Sequence, residues 1–248
     1  MANYFKSYKP KSKVLILDAN DDVQSKKGLF TKAWNERYQG IVEYRPNSGL
    51  LDVNVANMSL KLEAEDIRAD VINVIPAQKA GKIAIDLKLN NANNRFCIVD
   101  FLTYGSTAAK NIHVIGDSIQ AAPGMPKSGS MANQQAKACA AAVVALINGQ
   151  AVNDQPIVLN TCYSFVDARE VVHVASVHRY DTANKTMVTV DGSGGLCPLP
   201  LRCWKASMPG PGPRVSGPIR WRNVLAYKAS QEKTASETPK RFFMAFVG

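Results

Sequence analysis

The 248 residues hold no run of 18 or more apolar residues and no apolar segment behind a basic N-terminus, so they read neither as a membrane span nor as a secretory signal. Histidine is scarce: His113, His173 and His178 are scattered, and the last two, five apart in a β-like stretch, point to opposite faces. There is no Cys-x-x-Cys, His-Glu-x-x-His or Cys-x-x-Cys-His. Neither a zinc site nor covalent haem is therefore expected, and no metal ligands are assigned. A Gly-x-Ser-x-Gly elbow is missing too, which excludes that hydrolase pattern. No Gly-x-Gly-x-x-Gly follows a strand, so the usual phosphate cradle of a dinucleotide-binding domain is not encoded. The clustered glycines Gly192, Gly194 and Gly195 lead into Pro198 and Pro200, which cannot open the helix such a cradle needs.

Apolar residues make up 46% of the chain, enough for a real core. The formal charge of +10 is unevenly spread: residues 1–200 carry a net +3 and residues 201–248 a net +7. The basic segment shows no regular aromatic-basic pattern and matches no nucleic-acid module, so it reads as a solvated tail and no nucleic-acid partner is expected.

The most informative stretch runs NIHVIGDSIQAAPGMPKSGSMANQQAKACAAAVVALIN from Asn111 to Asn148. A β-branched strand at 112–115 meets Gly116-Asp117, then a proline-bounded loop, then an Ala-rich helix at 131–147 that Asn148-Gly149 stops. This order sets a carboxylate at the carboxyl end of a strand and aims a helix N-terminus at the same crevice, where open α/β sheets hold dinucleotides. Asp117 can accept hydrogen bonds from polyol hydroxyls, and the free amides of the helix favour an electron-rich carbonyl or anion. A flavin offers both. The candidate cofactor contacts are Gly116, Asp117, Pro126, Lys127, Ser128, Gly129 and Gln135. Lys127 reads as a charge partner for a reduced ring or as a solvated loop lysine, Gly129 as a point of close approach, and Gln135 as facing flavin or solvent. Ala132, Ala136, Ala140 and Ala141 allow close packing on a sheet, with Cys139 in the core.

Elsewhere, residues 13–17 read as a buried parallel strand ending in Asp18, a place for a ribose-binding carboxylate or a structural turn. A helix is expected at 26–38, strands at 41–44, 51–54, 59–63 and 69–75, and antiparallel strands at 171–177 and 186–190. Cys97 reads as a small buried residue and Cys162 as standing at the entrance to a strand.

IHVIGD, MPKSG, AN.QAK and NTCYS, in this order and spacing, resemble the flavoprotein subunit of flavocytochrome c sulfide dehydrogenase, of the two-dinucleotide-domain flavoprotein superfamily. KPKSKVLILDAN, SKKGLF..AW and ADVINVIPAQKAGKIA extend the likeness upstream, and it continues to about Gly195, over four fifths of the chain. The resemblance implies an α/β chain: an incomplete FAD/NAD(P)-binding Rossmann-like flavoprotein fold plus an α+β interface domain. Residues 1–75 would be the remainder of the second dinucleotide-binding-like domain, 76–150 the carboxyl-terminal part of the FAD-binding domain and 151–195 the interface domain. It implies FAD as cofactor and sulfide oxidation with electron transfer to a c-type cytochrome subunit. The alternatives are a sulfide:quinone reductase-like flavoprotein or a non-catalytic α/β remnant.

Cys162 is implied as the catalytic redox cysteine, half of a flavin-adjacent disulfide that takes sulfide as a persulfide. Its implied partner belongs to a Cys-Pro-Pro-Gly-Pro stretch that these residues do not contain. The chain departs from the family at Arg95-Phe96-Cys97-Ile98-Val99, where Gly-Trp-Cys-Pro-Val is expected, and at Gly124, an extra residue able to shift the following amides by up to about 3 Å. The chain is accordingly read as the carboxyl-terminal part of a periplasmic protein, cytoplasmic if expressed as given, and is expected not to oxidise sulfide alone. Residues 196–248, with seven of 13 prolines, read as a Pro-rich basic tail, from a reading-frame change or as a divergent linker with a helix at 221–229.

Overall fold

A computed structural model describes residues 1–200 and 241–246, with side chains over residues 1–194. The first layer is parallel. Helix α1 (Ala2–Tyr8) buries Phe5 and leads into β1 (Lys13–Asp18), whose KVLILD run has buried residues on both faces, as a strand covered on two sides requires. Helix α2 (Lys27–Arg37) returns the chain to β2 (Val42–Arg45), beside β1. Phe30, Trp34 and Tyr44 stack in series at 5.8 and 5.5 Å and fix the helix over the strand ends.

A three-stranded antiparallel sheet follows, from β3 (Leu50–Asn54), β4 (Ser59–Leu62) and β5 (Asp66–Arg68). Its Leu60, Leu62 and Ile67 pack on Leu15 and Leu17 of β1. Strand β6 (Val71–Ile75) then enters the parallel sheet, and Pro76 follows its end.

Past α3 (Lys82–Asp86), residues 87–128 run without a named strand, held by isolated bridges such as Cys97 with Ile119 and Gly105 with His113. The strand expected at 112–115 is not formed; only His113 makes a bridge, and Gly116–Ser118 is a single 3-10 turn. The backbone there is already satisfied locally. Ser106 N donates to Ile112 O at 2.7 Å and Val114 N donates to Tyr104 O at 2.9 Å, so β-branched side chains alone did not recruit a ladder.

Helix α4 (Gly129–Ile147) begins two residues before the alanine pattern does, because Ser128 Oγ accepts from Met131 N and serves as N-cap. It packs on an antiparallel sheet of β7 (Ile157–Phe165), β8 (Glu170–Asp181), β9 (Thr186–Thr189) and β10 (Gly195–Pro200), with β10 and β9 along one side of β8. Met131, Val158, Ile119, Tyr104 and Met187 form the core between them, with Cys139 at its margin. Cys97 is fully buried in a neighbouring cluster, as expected.

Cys162 lies inside β7, not at its entrance, since the β7–β8 ladder runs unbroken from Ile157 opposite Arg179 to Phe165 opposite Val171. Two strands fall in the region read as an irregular tail. β10 carries Pro198 and Pro200 on a sheet edge, where proline is tolerated, and β11 (Arg241–Phe246) lies parallel between β1 and β6. The helix expected at 221–229 lies outside the described residues.

Candidate functional site

The site is built on the turn after Ile115. Gly116 has φ +71, and a Cβ there would stand 3.3 Å from Ala132 Cβ, so only glycine lets α4 approach this turn unstrained. Its N–H donates to Gln135 Oε1 at 2.7 Å, while Gln135 Nε2 lies 3.5 Å from Met125 Sδ. Gln135 is 2% exposed and thus turns neither to solvent nor to the open side of the crevice; it ties helix to loop.

Lys127 does related work. Its Nζ donates to Asp117 O at 2.8 Å and to Ile119 O, and sits 3.9 Å from the Phe96 ring centroid. Burial holds its ammonium below the ordinary lysine range, with the Asp117 charge opposing that shift. Ser128 joins the two layers, accepting from Met131 N at 3.0 Å and donating to Asn160 Oδ1 on β7 at 2.6 Å. Pro126 lines the same crevice.

Beneath the loop the crevice is packed shut, without room even for a water molecule, and so cannot take a tricyclic ring. Its outer rim is different. Asp117 is exposed and its carboxylate has no hydrogen bond among the described residues. A Cβ at Gly129 would meet nothing within 4 Å, and the first amides of α4 have no partner inside the helix. The Asp117 carboxylate and the free amides at the Gly129 end of α4 are thus open to a cofactor, while Lys127 and Gln135 fix the loop from behind.

Cys162 shares one face of β7 with Asn160 and Ser164, by the two-residue period of a strand. Its Cα is therefore about 7 Å along the strand from the residue that holds Ser128. The thiol is free among the described residues. Lys26 Nζ donates to Cys162 Sγ at 3.3 Å and to Ser164 Oγ at 3.0 Å. Sequence reasoning missed Lys26, which is 136 positions away from Cys162. One signal existed: a lysine capping a helix N-terminus opposes the macrodipole and needs another reason to be there.

The same helix holds the β7–β8 turn at its far end. Arg37 Nη1 pairs with Asp167 at 2.7 Å, Nη2 pairs with Glu170, and Tyr38 Oη donates to Val166 O at 2.6 Å. The Glu170 hydrogen bond raises the Arg37 guanidinium above its usual value. Burial works against ionisation of Asp167, but the amides of Arg169 and Glu170, with Arg37, win and hold its carboxyl below the usual range. Asp18 takes the structural alternative, accepting from Asn20 N at 3.0 Å and from Tyr44 Oη at 2.9 Å. It lines a cavity of about 680 Å³ with Phe30, Trp34, Tyr38 and Phe165. No helix among the described residues is long and apolar enough to cross a membrane.

Two family models match. Residues 1–76 match the central part of the sulfide dehydrogenase [flavocytochrome c] flavoprotein chain, and residues 154–204 match the flavocytochrome c sulphide dehydrogenase flavin-binding part. The second match runs past Gly195, where the motif likeness stops. The two matches together span just over half of the chain.

Among solved structures, a chain of the Tetrahymena thermophila mitochondrial ATP synthase F1Fo composite tetramer overlaps 70% of this chain and 43% of its own length, at 18% identity and TM-score 0.56; the likeness is one of fold alone. An FAD-dependent pyridine nucleotide-disulphide oxidoreductase from Desulfovibrio vulgaris overlaps 71% and 54%, at 14% identity and TM-score 0.44. The chain thus spans about half the length of the structures it matches. The fold is α/β, with a parallel sheet beside an antiparallel one, and the cofactor class that the family match names is a flavin. The chain belongs to the flavocytochrome c sulfide dehydrogenase flavoprotein family.

Proposed function

We propose that this chain supplies the flavin-ring contacts and one redox cysteine of an FAD-dependent sulfide-oxidising enzyme. Its electrons pass to a c-type cytochrome, and the compartment is the periplasm. The observation that carries this reading is the Ser128–Asn160 hydrogen bond: it joins the first turn of α4 to the strand face on which Cys162 stands two residues on. The sulfur and the helix terminus are thereby set on two elements that this bond ties together, which supports reading them as one site. The family match makes the flavin the expected occupant.

FAD, when bound, supplies a two-electron acceptor able to release its electrons singly, which suits a sulfur donor and a haem acceptor. The chain's own residues do the rest. Asp117 accepts from polyol hydroxyls, the Gly129 end of α4 opposes negative charge at the pyrimidine edge, and Gly116, Pro126, Lys127, Ser128 and Gln135 keep the loop in shape. Cys162 provides a sulfur that attacks and leaves readily as thiolate. In this proposal residues 1–75, 76–150 and 151–195 keep their separate origins as second dinucleotide-binding, FAD-binding and interface domains.

The test is to titrate the purified chain with FAD, follow the flavin spectrum, and then add sulfide. The expected result is a perturbed spectrum that Asp117→Ala reverses, with no bleaching by sulfide, because Cys162 is one half of a sulfur centre. A spectrum identical to free FAD overturns the flavin contact. Stoichiometric bleaching overturns the assignment of Cys162 as half a centre.

A further inference from the structure

We propose that Lys26 is the counter-ion of the Cys162 sulfur and that, with Ser164, it forms a subsite selecting small anionic sulfur species such as hydrosulfide over neutral ones. Lys26 is 8% exposed, yet no carboxylate among the described residues lies within 4 Å of its ammonium. Its hydrogen-bond acceptors are a thiol sulfur and a hydroxyl oxygen. A buried ammonium without an anion is costly, and negative charge on Cys162 or on a species beside it removes that cost.

Among the described residues, the surrounding elements offer no competing anion. The first turns of α2 and α4 contain no acidic residue, and β8 sets Val174 and Val172 opposite Cys162 and Ser164. His173 is paired with Thr161 Oγ1 at 2.8 Å, across the adjacent face. Lys27 is engaged by Asp22, and Arg37 by Asp167 and Glu170 at the other end of the helix.

Backbone geometry adds an independent observation. Lys26 has φ +56, a left-handed conformation that a lysine adopts at a cost of about 1 kcal/mol. That conformation persists where the surroundings over-determine it, as they do at functional sites. Here the side chain crosses from the N-cap of α2 to the face of β7 that bears the thiol.

The subsite rests on the reading of Cys162 as the reacting sulfur, but its test needs neither flavin nor sulfide. Alkylation of the chain by iodoacetate, an anion, and by iodoacetamide, its neutral analogue, is followed at each cysteine by peptide mass spectrometry. The sulfur displaces iodide in both reactions, so the rate ratio isolates the effect of charge. Lys26→Met is expected to lower the iodoacetate-to-iodoacetamide ratio at Cys162 about tenfold, Lys26→Arg to keep it, and the ratio at Cys139 to stay unchanged. Equal Cys162 ratios in wild type and Lys26→Met overturn the proposal. If Lys26→Met unfolds the chain, seen as alkylation of the buried Cys97, then Lys26→Gln decides. It retains an N–H donor, and its ratio falls if charge is the cause and stays if it is not. A chain that fails to perturb FAD while showing this selectivity would separate the two proposals.

Discussion

At the residue scale the loop depends on polar side chains that face inward. Gln135 is the sole described acceptor for the Gly116 amide, so Gln135→Leu strands a buried donor and is expected to cost about 1–3 kcal/mol, read as a lower denaturant midpoint at unchanged slope. A midpoint equal to wild type would show the amide to be satisfied otherwise. Part of this was legible in the sequence. Gly116-Asp117 before a proline-bounded loop and an alanine run announced a loop and a helix, though with the helix start placed two residues late, and Cys97 read as a small buried residue. The directions of Lys127 and Gln135 were not legible, because they depend on where the 117–125 loop returns over the helix. Lys26 was hidden for a stronger reason: its partner stands on another sheet, and no local pattern encodes such an approach.

At the element scale, α2 acts as a strut between the parallel sheet and the β7–β8 hairpin, with Lys26 at one end and Arg37 and Tyr38 at the other. Arg37→Ala is expected to lower stability by about 1 kcal/mol, since both ion pairs are part-exposed and screened, and to speed proteolysis at the 166–169 turn. Unaltered cleavage there would remove the strut. Acid should act on the same sheet in two stages. Burial depresses the His178 imidazole, so the unfolded chain takes up a proton the folded chain refuses, and stability falls as pH drops below about 6.5. Asp167 is also depressed in the fold; its contribution is complete above about pH 3.9 and is lost as pH falls through its lower folded value. Thermal melts across this range should show both, and His178→Gln should flatten only the first. The elements themselves were largely readable. Helices α2 and α4 and most strands followed from apolar period, whereas α3 and β5 were too short to signal and β11, an apolar run beyond a proline-rich stretch, looked like tail. The supposed strand at 112–115 shows the converse error, β propensity without a neighbour to pair with.

At the scale of the whole molecule, composition said little about function and two short motifs said most. Most of the net charge belongs to residues 201–248, and the 46% apolar content is that of any globular chain. The family was legible because MPKSG and NTCYS each encode a local shape, a helix start and a strand face, that the fold then brings together through Ser128 and Asn160. The central claim is that the Cys162 sulfur and the flavin rim at Asp117 and Gly129 are one site. Its most direct test is protection: alkylation of Cys162 by iodoacetamide, measured by peptide mass spectrometry with and without saturating FAD, with Cys139 as internal reference. FAD should slow Cys162 at least severalfold, leave Cys139 unchanged, and lose its effect in Asp117→Ala. An unchanged Cys162 rate in chain shown by its perturbed spectrum to hold FAD would contradict the account.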